Sequence, residues 1–190
     1  MTRGSGFNQP SSMNNAPKRD IVDKSFAEIA VGDTASFFHH ISEEDIVIFS
    51  RLSGDENPLH IDEKYAQQTK FGGRVVHGLF LAALVSRLIG VYLPGRRSLL
   101  LFTEFRFKVP ARIGDLVKVE GVVIAKSPAI NVVEMAVEIK KNSVNPPTLT
   151  AGRYIMRQDD TICNLATETA GHSKGGRVNL VEGAVKVQVL

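Results

Sequence analysis

The run HGLFLAALVSRLIGVYL, residues 77 to 93, decides how this chain folds. Large apolar side chains occupy every face of the helix that it predicts, and Arg87 is its one charged residue. A helix that is apolar nearly all round is buried nearly all round. The run is also shorter than a bilayer requires, so we predict no membrane span but a buried helix over about Gly78–Leu93. Pro94-Gly95 ends this helix.

The residues after the helix alternate between apolar and polar side chains. Thr103–Val109 alternates strictly, which is typical of a strand with one covered face. Further strands are predicted over 116–126, with Gly121 as a bulge, and over 131–141 and 149–157. Short turns between consecutive strands imply antiparallel pairing. We therefore predict an α+β domain in which an antiparallel sheet wraps around the central helix.

The two ends of the chain differ from this middle part. Residues 1–20 are basic and rich in Ser and Asn, which predicts a disordered tail, with an organelle transit peptide as the alternative. We place the folded domain at residues 21–158. Residues 159–190 form an extension whose role the pattern does not define. Alternation returns over residues 178–190, as in a strand added on a neighbour or in an ill-ordered tail.

Composition narrows the classes of partner. The chain has 190 residues, 43% of them hydrophobic, and a net charge of +3, which together suit one folded domain. Its basic residues are not clustered, so we expect no nucleic-acid partner. Cys163 is the single cysteine, which excludes an intrachain disulfide and is compatible with a reducing compartment. We expect a cytoplasmic protein, or an organelle-matrix protein if the tail is a transit peptide.

The segment FSRLSGDENPLHID, residues 49 to 62, is the densest in groups capable of chemistry. It follows a helix that Ser42 caps and Ser53-Gly54 ends. Asp55 and His60 flank an Asn57-Pro58 turn, and a carboxylate and an imidazole can act together on one water molecule. Composition alone favours an ordinary loop, because Asp, Asn, Gly and Pro are the usual turn formers.

The start of the central helix is a second candidate region. Its first amides lack partners within the helix, and Gly78 would let a ligand oxygen approach one of them, as in an oxyanion hole. The alternative is that Gly78 simply permits tight packing. We expect no metal site, because His39 and His40 are adjacent on a predicted strand and no third ligand lies at a suitable spacing.

Residues 49–62, together with Phe71-Gly72 and His77-Gly78-Leu79, resemble the hydratase motif of the MaoC-like dehydratases, the (R)-specific enoyl-CoA hydratases. The similarity extends over about residues 25–158. It implies a hotdog fold, an antiparallel sheet wrapped around a central helix. It also implies dimers, or higher homo-oligomers, whose sheets join edge to edge and hold an acyl-CoA thioester at the interface.

The resemblance also implies roles for individual residues. Asp55 and His60 match the catalytic pair that activates water, and Gly78 matches the glycine whose amide binds the thioester oxygen. The reaction would be reversible hydration of a trans-2-enoyl-CoA to the (R)-3-hydroxyacyl-CoA, without cofactor or metal.

Three further positions match the family less directly. Asn57 would shape the loop between the catalytic residues. Ser86 and Ile89 match helix positions near the acyl pocket.

Other functions stay open at this point. The substrate could be carried by an acyl carrier protein, or could bear a branched or aromatic acyl group. The domain could also bind acyl-CoA without catalysis, since hotdog domains serve several functions and fold alone does not decide. The intact Asp55/His60 pair argues against that alternative. A thioesterase is disfavoured because the match is to the hydratase motif.

Overall fold

The computed structural model describes residues 20–142, 154–156, 162–164 and 178–190. The predicted N-terminal tail lies outside the described residues, apart from Asp20. Within the described ranges, no helix combines the length and the apolarity that crossing a membrane requires.

A 3-10 turn over Phe26–Glu28 precedes the first strand, and four α-helices follow that strand. In chain order the strand and the helices are β1 Thr34–His40, α1 Glu43–Ser53, α2 Pro58–Ile61, α3 Glu63–Gln67 and α4 Gly78–Arg87. The later strands are β2 Ser98–Phe107, β3 Leu116–Ser127, β4 Val132–Lys141, β5 Tyr154–Met156, β6 Ile162–Asn164 and β7 Val178–Val189.

Five strands form one antiparallel sheet in the order β1-β3-β4-β7-β2. α4 contributes Leu81, Leu84 and Val85 to the core, which they share with alternate residues of the strands. On β4, side chains at alternate positions are buried against the central helix side of the sheet: Val133, Met135, Val137 and Ile139. This is the predicted α+β architecture, a hotdog fold with α4 at its centre.

The central helix changes its hydrogen bonding near its end. α4 stops at Arg87, and a π-helical turn follows over Leu88–Tyr92, where a continuous α-helix was predicted. The Leu93 amide donates to the Leu88 carbonyl at 3.0 Å, a bond that spans five residues. The wider turn keeps Leu88 and Ile89 buried, at 0% and 3% exposure.

Gly121 is not the predicted bulge. It pairs regularly with Val137, and the irregularity in the β3–β4 ladder lies between Val123 and Ala125. A Cβ atom at residue 121 would lie 2.8 Å from Leu88 Cδ2 and 3.1 Å from Met135 Cε. Gly121 therefore serves the close approach of the central helix to the sheet.

The strand predicted over 149–157 is not the next member of the sheet. Its described part, β5, pairs with β6 in a separate two-stranded ribbon. The strand that pairs with β4 on its second edge is β7, which lies between β4 and β2. It buries Val181, Val185 and Val187. Residues 178–189 are thus a strand and not an ill-ordered tail, and the sheet extends past the domain boundary predicted at residue 158.

The prediction of one covered face over Thr103–Val109 is wrong for the single chain. β2 is an edge strand that pairs with β7. Phe105 is partly buried against the core, but Phe107 and Val109 are 50% and 44% exposed. The other large apolar residues of the strand are between 41% and 52% exposed: Leu99, Leu100, Leu101 and Phe102.

Candidate active site

Asp55 stands where the chain reverses after α1. The helix starts at a capping box formed by Ser42 and Asp45 and ends at Gly54, whose φ of 74° is left-handed. The Asp55 side chain is exposed, and its Oδ1 accepts a hydrogen bond from the Asn57 amide at 3.2 Å. The carboxylate therefore lies at the surface of a loop held by local hydrogen bonds.

His60 is presented by the short helix α2. Asn57 caps that helix by accepting the Leu59 amide at 3.0 Å, and Pro58 occupies the first helical position. His60 Nδ1–H donates to the Val75 carbonyl at 2.8 Å. A neutral imidazole has one N–H, so this bond leaves the lone pair on His60 Nε2. The ring is thus oriented as a proton acceptor.

His77 is a third member of the site that the sequence motif did not single out as functional. It caps α4, is 1% exposed and donates Nε2–H to the Asp55 backbone carbonyl at 3.1 Å. Its ring centroid lies 4.0 Å from that of His60, with 33° between the ring planes, and 5.1 Å from that of Phe49. Burial lowers the pKa of His77, which favours the neutral ring. The signal available beforehand was its place directly before Gly78.

The fold brings Asp55, His60 and His77 together from three separate segments. One carboxylate oxygen and one nitrogen from each ring all lie within 4.8 Å of one another. A carboxylate and two imidazoles are donor types that also bind transition metals. Each ring already donates one N–H to a backbone carbonyl, and the other His77 nitrogen is buried. The Asp55 carboxylate and the second His60 nitrogen are also groups that can bind and deprotonate a water molecule.

Gly78 is the first residue of α4 and is partly buried. Its amide donates to no partner among the residues that the structure describes. A Cβ atom at this position would lie 3.3 Å from Phe107 Cε1. Both interpretations from the sequence therefore find support here: an available amide at the positive end of a helix, and close packing against an aromatic ring.

Ser86 and Ile89 lie at the other end of the central helix. Ser86 is exposed, whereas Ile89 is in the core. Ser86 is about 12 Å along the helix axis from Gly78, at the usual rise per residue. The structure does not gather these two residues with Asp55 and His60, and their place near an acyl pocket stays a prediction.

Arg112 supports the segment that delivers the Val75 carbonyl to His60. Its Nη1 donates to the Gly73 and Arg74 carbonyls at 2.7 and 3.0 Å, and its Nη2 donates to the Phe71 carbonyl. One guanidinium thus satisfies three loop carbonyls. The spacing along the chain gave no indication of this contact, because Arg112 lies far from the loop in sequence.

Comparison with known proteins gives one family match. Residues 28–145 match the family described as MaoC like domain. The matched range contains Asp55, His60, His77 and Gly78.

Two characterised relatives are similar over about half of the chain. It is 40% identical over 95 residues to a 3-hydroxybutyryl-CoA dehydratase of Methylorubrum extorquens, and 42% identical over 98 residues to an (R)-specific enoyl-CoA hydratase of Rhodospirillum rubrum. The alignments cover 50% and 52% of this chain, and 60% and 68% of those two proteins. The match therefore spans less than two thirds of the first relative.

A solved structure extends the similarity to most of the fold. The unliganded R-hydratase PhaJ1 from Pseudomonas aeruginosa matches with a TM-score of 0.68 at 29% sequence identity. The match covers 89% of this chain and 87% of that one.

Proposed function

The chain belongs to the MaoC-like domain family, and we propose that it is a hydro-lyase that adds water reversibly to a trans-2-enoyl-CoA. The product is the (R)-3-hydroxyacyl-CoA. The names of the two relatives and of the matching structure support this reaction class.

The orientation of His60 carries the proposal. Because Nδ1–H is held by the Val75 carbonyl at 2.8 Å, Nε2 is the atom that can accept a proton from water. The Asp55 carboxylate is close enough to bind the other side of the same water. One water molecule is thus held between His60 Nε2, which accepts its proton, and the Asp55 carboxylate.

The atoms balance with water as the one co-reactant. Water loses one proton to the Asp55/His60 pair as its oxygen bonds to Cβ. The π component of the Cα–Cβ double bond breaks, and the π electron pair moves toward the thioester carbonyl. The enolate-like oxygen that forms accepts a hydrogen bond from the Gly78 amide. A proton then returns to Cα from the Asp55/His60 pair, which restores the thioester. Loss of one such oxyanion donor typically raises a barrier by about 3 to 4 kcal/mol.

Asn57 has an indirect part in this proposal. It caps α2 and donates its amide to Asp55 Oδ1, so it joins the two catalytic residues through one turn. These contacts support the loop-shaping role predicted for it. Ser86 and Ile89 are kept as proposed neighbours of the acyl chain.

We propose that the working form is a homodimer in which a second copy covers β2. The edge position of β2 and its half-exposed leucine and phenylalanine side chains support this assembly. Phe107 belongs to that surface and touches the Gly78 position, so the partner would adjoin the thioester site. Sedimentation analysis of the full chain tests this, and a monomer across the working concentration range would contradict it.

The proposed compartment is the cytoplasm or an organelle matrix, because a single cysteine is compatible with a reducing environment. Imaging of the full chain carrying a C-terminal fluorescent protein would distinguish the two.

A direct assay tests the reaction. Loss of the conjugated enoyl-thioester absorbance is followed across a chain-length series of enoyl-CoA substrates, and the product stereochemistry is determined by chiral separation. We expect turnover with (R) product. Turnover on carrier-protein thioesters alone would favour the carrier-protein alternative. Release of free thiol would indicate a thioesterase, and tight acyl-CoA binding without hydration would indicate a binding module.

A further inference from the structure

We propose that His77 is a positioning residue, a neutral side chain that sets the placement of Asp55 and His60 relative to each other. The proposal rests on the function proposed above, because it assigns His77 a role in that reaction. Four features of the structure carry it.

The first feature is the pair of hydrogen bonds to the Asp55 backbone. Its backbone carbonyl accepts two hydrogen bonds, from Ser50 Oγ at 2.9 Å and from His77 Nε2–H at 3.1 Å. A carbonyl has two lone pairs, so both are used. Ser50 and His77 are themselves buried, at 6% and 1% exposure. The backbone of an exposed catalytic residue is therefore anchored from the protein interior.

The second feature is the contact with His60. The His77 ring faces the His60 ring at 4.0 Å between centroids, and the Val75 carbonyl holds His60 Nδ1. Val75 and His77 are next-nearest neighbours in the chain. The segment from Val75 to His77 thus packs against one face of the His60 ring and fixes the direction in which its Nε2 points.

The third feature is the charge state. His77 Nδ1 is buried without a hydrogen-bond partner among the described residues. A proton there would leave a charged N–H unpaired in the interior, which is costly. The titratable groups that face His77 from the described segments are His60 and Asp55; the His60 charge opposes protonation of His77, whereas the Asp55 carboxylate favours it. Burial is the largest influence, and it lowers the pKa of His77.

The fourth feature is continuity with the oxyanion amide. His77 is the N-cap of α4, and Gly78 is the residue that follows it. A displacement of His77 would therefore move the water-binding pair and the Gly78 amide together. Misplacement of reacting groups by about 1 Å can cost about 100-fold in rate.

Three substitutions separate the two contacts of His77. His77→Phe keeps a ring against His60 but removes the donor to Asp55. His77→Gln keeps a donor but removes the ring. Ser50→Ala removes the other donor on the same carbonyl. His40→Gln is the matched control, because His40 is exposed on β1 and lies outside the site.

Steady-state kinetics of the full chain give the first readout. We expect His77→Phe to lower kcat by about 100-fold and His77→Gln by about tenfold, with KM changed by a factor of about three or less. Ser50→Ala should lower kcat by a smaller factor in the same direction, and His40→Gln should match the wild type. Wild-type kcat in folded His77→Phe would overturn the proposal. If His77→Phe does not fold, unchanged kcat in both His77→Gln and Ser50→Ala overturns it.

Nitrogen-15 NMR of histidine-labelled protein gives a readout that needs no activity. Near neutral pH, the His77 ring should be neutral, with its single proton on Nε2. When the His60 ring is neutral, its single proton should be on Nδ1. His77→Gln should shift the His60 nitrogen signals, and His40→Gln should not. A charged His77, or His60 signals indifferent to His77→Gln, would overturn the proposal. Failure of the wild type to hydrate any thioester would instead remove the proposed function and leave the NMR result standing.

Discussion

The loop at residues 50–62 and the interface between α4 and the sheet are held together in different ways. The loop is largely exposed, and individual hydrogen bonds fix it. The Leu59 amide donates to Asn57 Oδ1, the Asn57 amide donates to Asp55 Oδ1, and Ser50 Oγ donates to the Asp55 carbonyl. The helix–sheet interface is fixed by burial, with Leu88, Met135 and Val185 at 0% exposure.

The two regions contribute differently to stability and to the proposed chemistry. Burial of apolar surface contributes free energy to folding without directing any one polar atom. Hydrogen bonds in an exposed loop contribute little net stability but define direction. We therefore expect substitutions in the loop to change turnover and substitutions in the interior to change the free energy of unfolding. His77 is the exception, since it is buried but touches the loop.

The largest effect should come from the catalytic pair. Asp55→Asn and His60→Gln remove the groups that bind and deprotonate water, and we expect each to lower kcat by about 10³-fold. The melting temperature should stay near that of the wild type. Glu56→Gln is the matched control, because Glu56 is an exposed carboxylate next to Asp55. Near wild-type turnover by both variants would remove Asp55 and His60 from the mechanism.

The next effect belongs to the interior. Met135→Ala removes a fully buried side chain between the sheet and the π-helical turn, and we expect it to lower the free energy of unfolding by about 3 kcal/mol. Urea denaturation measures this, and kcat per folded molecule should not change. Met135→Leu should cost less than about 1.5 kcal/mol. If Met135→Ala lowered kcat without lowering the free energy of unfolding, the interior would not differ from the loop in the way proposed here.

A somewhat smaller effect tests the seam between β7 and β2. A Cβ atom at Gly183 would lie 2.1 Å from the Glu104 carbonyl oxygen, which is backbone and cannot move without parting the strands. We expect Gly183→Ala to cost about 2 kcal/mol of unfolding free energy. Ala184→Gly, at the next position, is the control for strand propensity. If Gly183→Ala left the free energy of unfolding unchanged, Gly183 of β7 would not lie against the Glu104 carbonyl of β2.

A local effect is expected in the loop. Asn57→Ala removes the cap of α2, which typically costs about 1 kcal/mol. Because α2 is short and exposed, the change should appear as roughly fivefold faster hydrogen exchange at the Leu59 amide, with little change in global unfolding. Asn57→Asp keeps the acceptor and should exchange at nearly the wild-type rate. A large drop in melting temperature would show that the loop carries global stability.

The smallest effect is a pH dependence from His77. Burial lowers its pKa, so on acidification the unfolded chain binds the proton before the folded chain does. Above about pH 6.5, His77 is neutral in both states and its titration does not reduce the free energy of unfolding. As the pH falls from there toward the folded-state pKa, the free energy of unfolding decreases. Urea titrations at several pH values should show a shallower acid decline in His77→Phe than in the wild type. Parallel curves would mean that His77 is not held neutral by folding.

Local patterns made part of this structure predictable. The predicted cap at Ser42 joins residues three apart, because its hydroxyl accepts the Asp45 amide, so the chain order itself shows both partners. The buried helix was visible because its own side chains are apolar on every face. Its π-helical end was not, since that depends on how Leu93 and Gly95 turn back on Leu88 and Ile89.

Contacts between distant segments were harder to predict. His77 acquires its role from the Asp55 carbonyl and the His60 ring, and neither is a neighbour in the chain. β7 acquires its place from pairing with β4 and β2, and its alternation alone fits several positions. The proposed catalytic pair was suggested by the length of the motif, because the spacing of Asp55 and His60 is also that of an ordinary turn.

The place of β7 also has a consequence for the order of folding during synthesis. On the ribosome, β1, β3 and β4 can pair as soon as β4 emerges, but β2, which is made earlier than β3, has its sheet neighbour in residues 178–189. Until that segment appears, β4 keeps an open edge and β2 keeps an unpaired backbone with exposed leucines. Unpaired strand edges and exposed apolar side chains promote aggregation of incompletely folded chains, so we expect the nascent chain to be most prone to aggregate before β7 emerges. Pairing with β7 therefore completes the described sheet only after residues 50–62 have been synthesised.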